Sequence, residues 1–206
     1  MPRFCWQRRI DNDMPKDIKK LLIPSRPLCL ELMDQYGMLA HIREHSLLVT
    51  EVALHLGTSL SEAGFPLHLA LIEAGALLHD LGKTPCLGTS LNHAEWGAQV
   101  LEQAGYPQVA QVVREHVALQ PDGHDPRLIR EAEVVNYADK RVLHTRVVTL
   151  TERFADLKER YGRTPESLAR ICRLEIKAFR LEAKLFANLR FDPPSLLHLN
   201  HLRRKP

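Results

Sequence analysis

The chain has 206 residues, 45% of them hydrophobic and 26% charged, with a formal net charge of +3. That length suits one well-packed core with terminal extensions, and the balance excludes a disordered or fibrous protein. So mild a charge, with Lys and Arg scattered among acids, gives no case for a nucleic-acid partner.

Residues 1–27 mix Pro15, Pro24 and Pro27 with Arg8, Arg9, Lys19 and Lys20, which reads as an irregular arm. From Leu28 to Tyr36, Leu28, Leu32, Met33 and Tyr36 recur at helical spacing, with Gly37 as a stop. A second helix is expected from Ala40 to Leu56, where Leu48, Val52 and Leu56 form a stripe that Gly57 ends. Leu67 to Leu81 is apolar almost throughout, so that helix should be buried on most sides and stop at Gly82. Asn92 with Glu95 three residues on fits a capping box opening a helix to about Ala104. Pro107 opens another, Gln108 to about Leu119, closed by Pro121, Asp122 and Gly123. A long helix is expected over Arg127 to Arg146, then Leu150 to Tyr161 stopped by Gly162, and a last helix from the Thr164-Pro165 start to about Leu189. No stretch alternates apolar and polar residues over a strand's length, so strands are not indicated. Pro193, Pro194 and the basic end Arg203, Arg204, Lys205 read as a loose tail.

The four cysteines, Cys5, Cys29, Cys86 and Cys172, form no paired metal spacing, and the N-terminus does not look like a secretory leader. A cytoplasmic location with free thiols is therefore expected. No apolar stretch reaches the roughly 18 residues of a membrane span, so no membrane association is expected.

The chain holds 11 histidines, several within apolar helical segments. His79 and Asp80 close the most apolar helix, where an unpaired buried carboxylate is costly. A divalent cation would compensate it, and neighbouring His and Asp side chains supply the nitrogen and oxygen ligands such an ion takes. His45, His93, His116 and Asp139 each sit on a different predicted helix, and helical bundles build metal sites by converging such side chains. Asp139 reads alternatively as a solvated partner of Lys140, Arg141 or Arg146. Lys140 and Arg141 themselves read either as phosphate contacts or as an exposed basic pair.

The ordered series His45-Ser46 in REHSLLV, His79-Asp80 in ALLHDLGK, His93 in NHAEWGA, His116 in REHVAL and Asp139 in NYADKRV resembles the HD superfamily of metal-dependent phosphohydrolases, in particular its HDIG-like two-metal members. The resemblance covers about Ala40 to Arg146. It implies an all-α, single compact domain in which His45, His79, Asp80 and Asp139 bind one metal. His93 and His116 match the additional ligands of two-metal members, with Asp80 bridging. On this reading 1–27 is an N-terminal arm, 28–148 the HD domain, 149–190 a pair of C-terminal helices packing on the core or on a partner, and 191–206 a basic tail.

The expected activity is hydrolysis of a phosphate ester or phosphoanhydride, of a nucleotide or dinucleotide, by metal-activated water. Asp80 and Lys83 are the expected catalytic residues. Lys83 follows Asp80 by three residues and is placed to steady a phosphate oxygen, although a lysine near a helix C-terminus is also favoured by the helix dipole alone. Two ions per chain are expected, Fe or Mn first, then Co, Ni, Zn or Mg. Two other readings share the same ligand series: a two-iron oxygenase and a nucleotide-sensing module without turnover. An oligomer is compatible with the apolar faces of Leu150 to Leu189.

Overall fold

The computed structural model describes residues 22–120, 125 and 127–202. Residues 1–21 of the arm expected over 1–27, the Pro121, Asp122, Gly123 cluster and the basic end Arg203, Arg204, Lys205 lie outside the described residues, and the arm's last two residues already belong to a helix.

The described residues form α1 (Arg26–Gln35), α2 (Ala40–Glu62), α3 (Leu69–Leu78), α4 (His93–Gln103), α5 (Pro107–Glu115), α6 (Glu131–Lys140), a short antiparallel pair β1 (Val142–Leu143) and β2 (Arg146–Val147), then α7 (Leu150–Tyr161), α8 (Pro165–Phe186), a 3-10 turn (Pro193–His198) and α9 (Leu199–Leu202). The all-α class expected from the sequence is what is found. Helix α2 is the spine, packed mainly against α3 and α6, and α4 packs along α5. Leu48, Val52, Leu56, Ile72, Leu77, Leu78, Val134 and Val135 are fully buried between these helices. Full burial of each such side chain is worth about 1.5–3 kcal/mol, and this is what fixes the helix ends that carry the site. Among the described residues no helix is long and apolar enough to cross a membrane.

Several helix ends differ from the sequence-based expectation, each for a physical reason. Helix α2 runs through Gly57 to Glu62. A Cβ at Gly57 would lie 2.7 Å from Ile72 Cδ1, so this glycine serves the close approach of α2 to α3 rather than a stop. Helix α3 ends at Leu78, and Gly82 lies in the turns that follow. A Cβ there would sit 2.2 Å from the His93 carbonyl oxygen, so glycine is what lets this loop abut the start of α4. Helix α5 ends at Glu115, four residues before Leu119, because side chains of α6 take its last carbonyls: Asn136 Nδ2 donates to Glu115 O (2.8 Å) and His116 O (3.0 Å).

The long helix expected to Arg146 stops at Lys140, and the chain reverses through a hairpin in which His144 has φ 55°. Arg141 imposes the reversal: its carbonyl accepts from Val148 N (2.8 Å) and its Nε donates to Val148 O (2.6 Å). This two-residue pair is the strand the sequence did not indicate. Helix α8 closes at Phe186, three residues short of Leu189. The tail expected to be loose from residue 191 is folded against the core as far as it is described. Leu196 is fully buried, Arg141 Nη2 donates to Pro193 O (2.9 Å), and the Asn200 amide bonds both the N–H (2.8 Å) and the carbonyl (2.9 Å) of Val147.

Candidate metal centre

Six predicted residues meet at one place. His45 comes from α2, His79 and Asp80 follow the end of α3, His93 opens α4, His116 caps α5 and Asp139 lies in the last turn of α6. His79, Asp80 and His116 are buried, and His93, with 30% of its side chain exposed, marks the open side. Two donor sets form, His45 with His79 and Asp80, and Asp80 with His93 and His116; within each, one ligand atom per residue lies within 4.8 Å of the others.

Backbone carbonyls set the tautomers. A carbonyl oxygen only accepts, so the imidazole nitrogen facing it must carry the hydrogen. His79 Nδ1 donates to Ala76 O (2.7 Å), His116 Nδ1 to Val113 O (2.6 Å) and His45 Nδ1 to His144 O (3.2 Å). Each neutral ring then turns a lone pair on Nε2 inward. His45 Nε2 faces Asp139 Oδ1 at 3.0 Å, and His79 Nε2 lies 3.4 Å from Asp80 Oδ2 and 3.6 Å from Asp139 Oδ1. His93 and His116 bring their Nε2 atoms to 3.2 Å of each other, and these lie 3.5 and 3.7 Å from Asp80 Oδ1. Asp80 thus divides the cluster: Oδ2 turns to one donor set, Oδ1 to the other. Buried His79 Nε2 has no hydrogen-bond partner. Lone pairs facing lone pairs in a buried cluster repel unless cations sit between them, so the donor set fits divalent metal.

The electrostatics of the cluster agree. Burial drives His79 toward its neutral form, yet the Asp80 and Asp139 carboxylates override it and raise its pKa to about 10. Burial alone would raise both carboxylates, but the imidazoles and, for Asp80, Lys83 hold them well below the usual range. Burial takes His116 down to about 3 and lowers His93 as well. Without a metal, a proton on His79 serves as the compensating cation.

Lys83 Nζ donates to Asp80 Oδ2 at 2.9 Å while almost half its side chain stays exposed, so it stands at the rim of the cluster. Asp139 is no solvated surface partner of Lys140, Arg141 or Arg146; it faces His45 and His79. Lys140 and Arg141 are buried rather than an exposed basic pair. Lys140 Nζ is bonded to His116 O (3.2 Å), Asn136 O (3.2 Å) and Asn136 Oδ1 (2.8 Å), and burial lowers its pKa to about 8 against the pull of Asp139. Arg141, 1% exposed, bonds the Tyr137 hydroxyl and pairs with Glu182 of α8. Sequence reasoning missed two contributors, Asn136 beneath His116 and the carbonyl of His144 beneath His45. For Asn136 the available signal was its place three residues before Asp139, one helical turn away. For His144 there was none.

The family model described as HD domain matches residues 42–143. The chain is 26% identical over 144 residues to an uncharacterised protein of Methanocaldococcus jannaschii, covering 64% of this chain and 83% of that protein. It is 31% identical over 134 residues to a tRNA (cytidine(56)-2'-O)-methyltransferase of Thermoplasma volcanium, and 26% identical over 156 residues to the protein of the same name in Picrophilus torridus. These matches cover 59% and 68% of this chain but only 37% and 43% of the two methyltransferases. No solved structure matches.

Proposed function

Because the chain belongs to the HD-domain family over residues 42–143, we propose that it is a metal-dependent phosphohydrolase acting on a phosphate ester or phosphoanhydride, with a nucleotide or dinucleotide as the substrate class. The observation that carries the reading is the arrangement of Nε2 atoms, tied from behind at Nδ1 by backbone carbonyls and aimed at two carboxylates, with buried His79 Nε2 left without a hydrogen-bond partner. His45, His79, Asp80 and Asp139 would hold one ion, and Asp80, His93 and His116 a second. Imidazole-rich sets favour Fe or Mn, with Co, Ni or Zn following, over Mg, which prefers oxygen. Such ions, when bound, supply an acidified water and neutralise charge on the phosphoryl oxygens.

The chain's own residues do the rest. Asp80 offers one oxygen to each donor set and so fixes their separation. Lys83, at the rim and already within reach of Asp80, supplies a mobile positive charge for a non-bridging phosphate oxygen. His93, the most exposed of the six ligand candidates, sits where substrate enters. The complete donor set is what a hydrolase keeps and a sensor without turnover has no need of. Methyl transfer, in the names of two relatives, is the activity of proteins of which this chain spans less than half, and it forms no part of this proposal.

The test is a screen of phosphorylated metabolites with Mn, Fe, Co, Ni and Mg supplied separately, read as phosphate release with and without oxygen. Release over many turnovers that persists anaerobically and is lost in Asp80→Ala is the expected result. Turnover that consumes oxygen would replace the proposal with an oxygenase.

A further inference from the structure

Helix α7 lies outside the segment matched by the family model, yet it touches the hairpin that supports His45. Arg160 Nη2 donates to His144 Nε2 (2.7 Å), and the His144 carbonyl holds His45. Arg153 stands seven residues before Arg160, two helical turns, and therefore on the same face of α7. Its side chain is 16% exposed. Its Nε is shielded from solvent and has no hydrogen-bond partner. The nearest carboxylate, Asp156, lies at 3.6 Å from Nη1, too long for a hydrogen bond, and Asp156 gives its other oxygen to Arg160 Nε at 2.8 Å. The positive charge of Arg153 acts on the ammonium groups of both Lys83, at the rim, and Lys140, beneath His116. Arg153 therefore lies near both lysines.

A guanidinium whose Nε is shielded from water and unpaired is costly to keep, and the cost is repaid when an anion takes that donor. Lys83 presents a point charge on a flexible stem, whereas the planar fork of an arginine matches two oxygens of one phosphate. We propose that Arg153 is a substrate-binding residue that, together with Lys83, grips a phosphate of the substrate, so that α7 completes the binding site. This rests on the phosphohydrolase reading for the identity of the ligand.

The experiment compares full-length, metal-loaded wild type with Arg153→Gln and Arg153→Lys, measuring KM and kcat on the best substrate and, separately, inorganic phosphate binding by calorimetry. The expected result is a KM raised roughly tenfold or more in Arg153→Gln. The rise is smaller in Arg153→Lys, which keeps the charge without the fork. Metal content and melting temperature stay at wild-type values, and phosphate binding weakens in parallel with KM. Unchanged KM and phosphate binding in both variants overturns the proposal while leaving the hydrolase reading intact. A fall in melting temperature or metal content in Arg153→Lys, with KM unaltered, also overturns it and makes Arg153 a structural partner of Asp156. If no phosphate ester turns over in the wild type but phosphate binds and Arg153→Gln abolishes that binding, the hydrolase reading fails and this one stands.

Discussion

His45 and His144 are 99 positions apart, and the imidazole of the first donates from Nδ1 to the carbonyl of the second at 3.2 Å. That carbonyl points inward because His144 turns the hairpin with φ 55°, a conformation that costs a non-glycine residue roughly 1–2 kcal/mol. The hairpin therefore orients a ligand on the central helix. His144→Gly removes the strain and keeps the carbonyl, so metal affinity should hold and stability should rise by a few tenths of a kcal/mol or more. His144→Val adds a β-branched side chain at positive φ, and should lower both stability and the affinity of the His45 donor set. Thermal denaturation together with metal titration distinguishes the pair; equal behaviour of the two variants would show that the hairpin does not orient His45.

Asp80 is shared by both donor sets, and each of its oxygens faces a different one. Its loss should therefore cost more than the loss of any histidine. Asp80→Ala should bring the metal content from two ions per chain toward none and lower phosphate release by about 10³-fold or more, about 4 kcal/mol in the barrier. His93→Ala should leave one ion in place. Elemental analysis of purified protein decides this: one ion in Asp80→Ala would place the centre elsewhere, and one ion in the wild type would make His93 and His116 substrate contacts.

The two donor sets should respond differently to pH. In the metal-free protein His79 is raised to about 10 against burial, by Asp80 and Asp139, so at neutral pH it carries a proton that a metal must expel. That proton stabilises the metal-free fold fully below about 6.5, and the contribution fades as pH rises through about 10. His116, lowered to about 3 by burial, and His93, also lowered, are already neutral. The first ion should then bind with release of about one proton per chain, its affinity rising up to tenfold per pH unit between about 7 and 9, and the second without release. Calorimetry in buffers of different ionisation enthalpy measures both; no buffer dependence for the first ion would contradict the assignment.

How much of this was legible in the sequence depends on how local each cause is. His79 and His116 both follow helix ends and both donate to the carbonyl three residues back, so their orientation is a property of a short segment and the ordered series reports it. The starts of α4, α7 and α8 were readable for the same reason, since Asn92, Thr149 and Thr164 cap helices through neighbours two or three residues away. Glu95, however, accepts from Arg114 of α5 rather than completing a capping box. The end of α5 and the folded tail depend on partners 20 to 53 residues away, such as Asn136 with His116 and Asn200 with Val147, and the end of α6 on Val148 across a hairpin. No periodicity within one segment encodes those contacts.

Gly82 tests whether the loop after α3 and the start of α4 must touch. Its missing side chain is the reason the His93 carbonyl can approach, since a Cβ would stand 2.2 Å from that oxygen and 3.0 Å from Gly97 N, both backbone atoms. Backbone cannot rotate aside, so Gly82→Ala must separate the loop from α4 and carry His93 away from His116. A destabilisation of about 1–3 kcal/mol is expected, with selective loss of the second ion. Gly75→Ala, which meets only the Val112 side chain, at 2.5 Å, should cost similar stability and keep both ions. Retention of both ions in Gly82→Ala would show that His93 is not held by this contact.

Asn136 carries the remaining dependence of the site on a neighbour. Its amide donates to two carbonyls at the end of α5, and its Oδ1 accepts from Lys140 Nζ, which in turn donates to His116 O. Asn136→Leu, similar in volume, leaves the Glu115 carbonyl without that donor and takes one acceptor from a buried ammonium. Each buried polar group so abandoned costs about 1–3 kcal/mol, which in a chain of this size lowers the melting temperature by roughly 5–10 °C. The carbonyls that end α5 would then seek other donors, and His116, which caps the helix, would move with them. Affinity for the ion held by Asp80, His93 and His116 should fall about 10–100-fold, the usual effect of removing a group that supports a ligand, while the ion at His45, His79 and Asp139 is retained. Metal titration of Asn136→Leu, followed by elemental analysis after dialysis, separates these outcomes. Equal loss of both ions would mean that Asn136 supports the fold as a whole rather than the placement of His116.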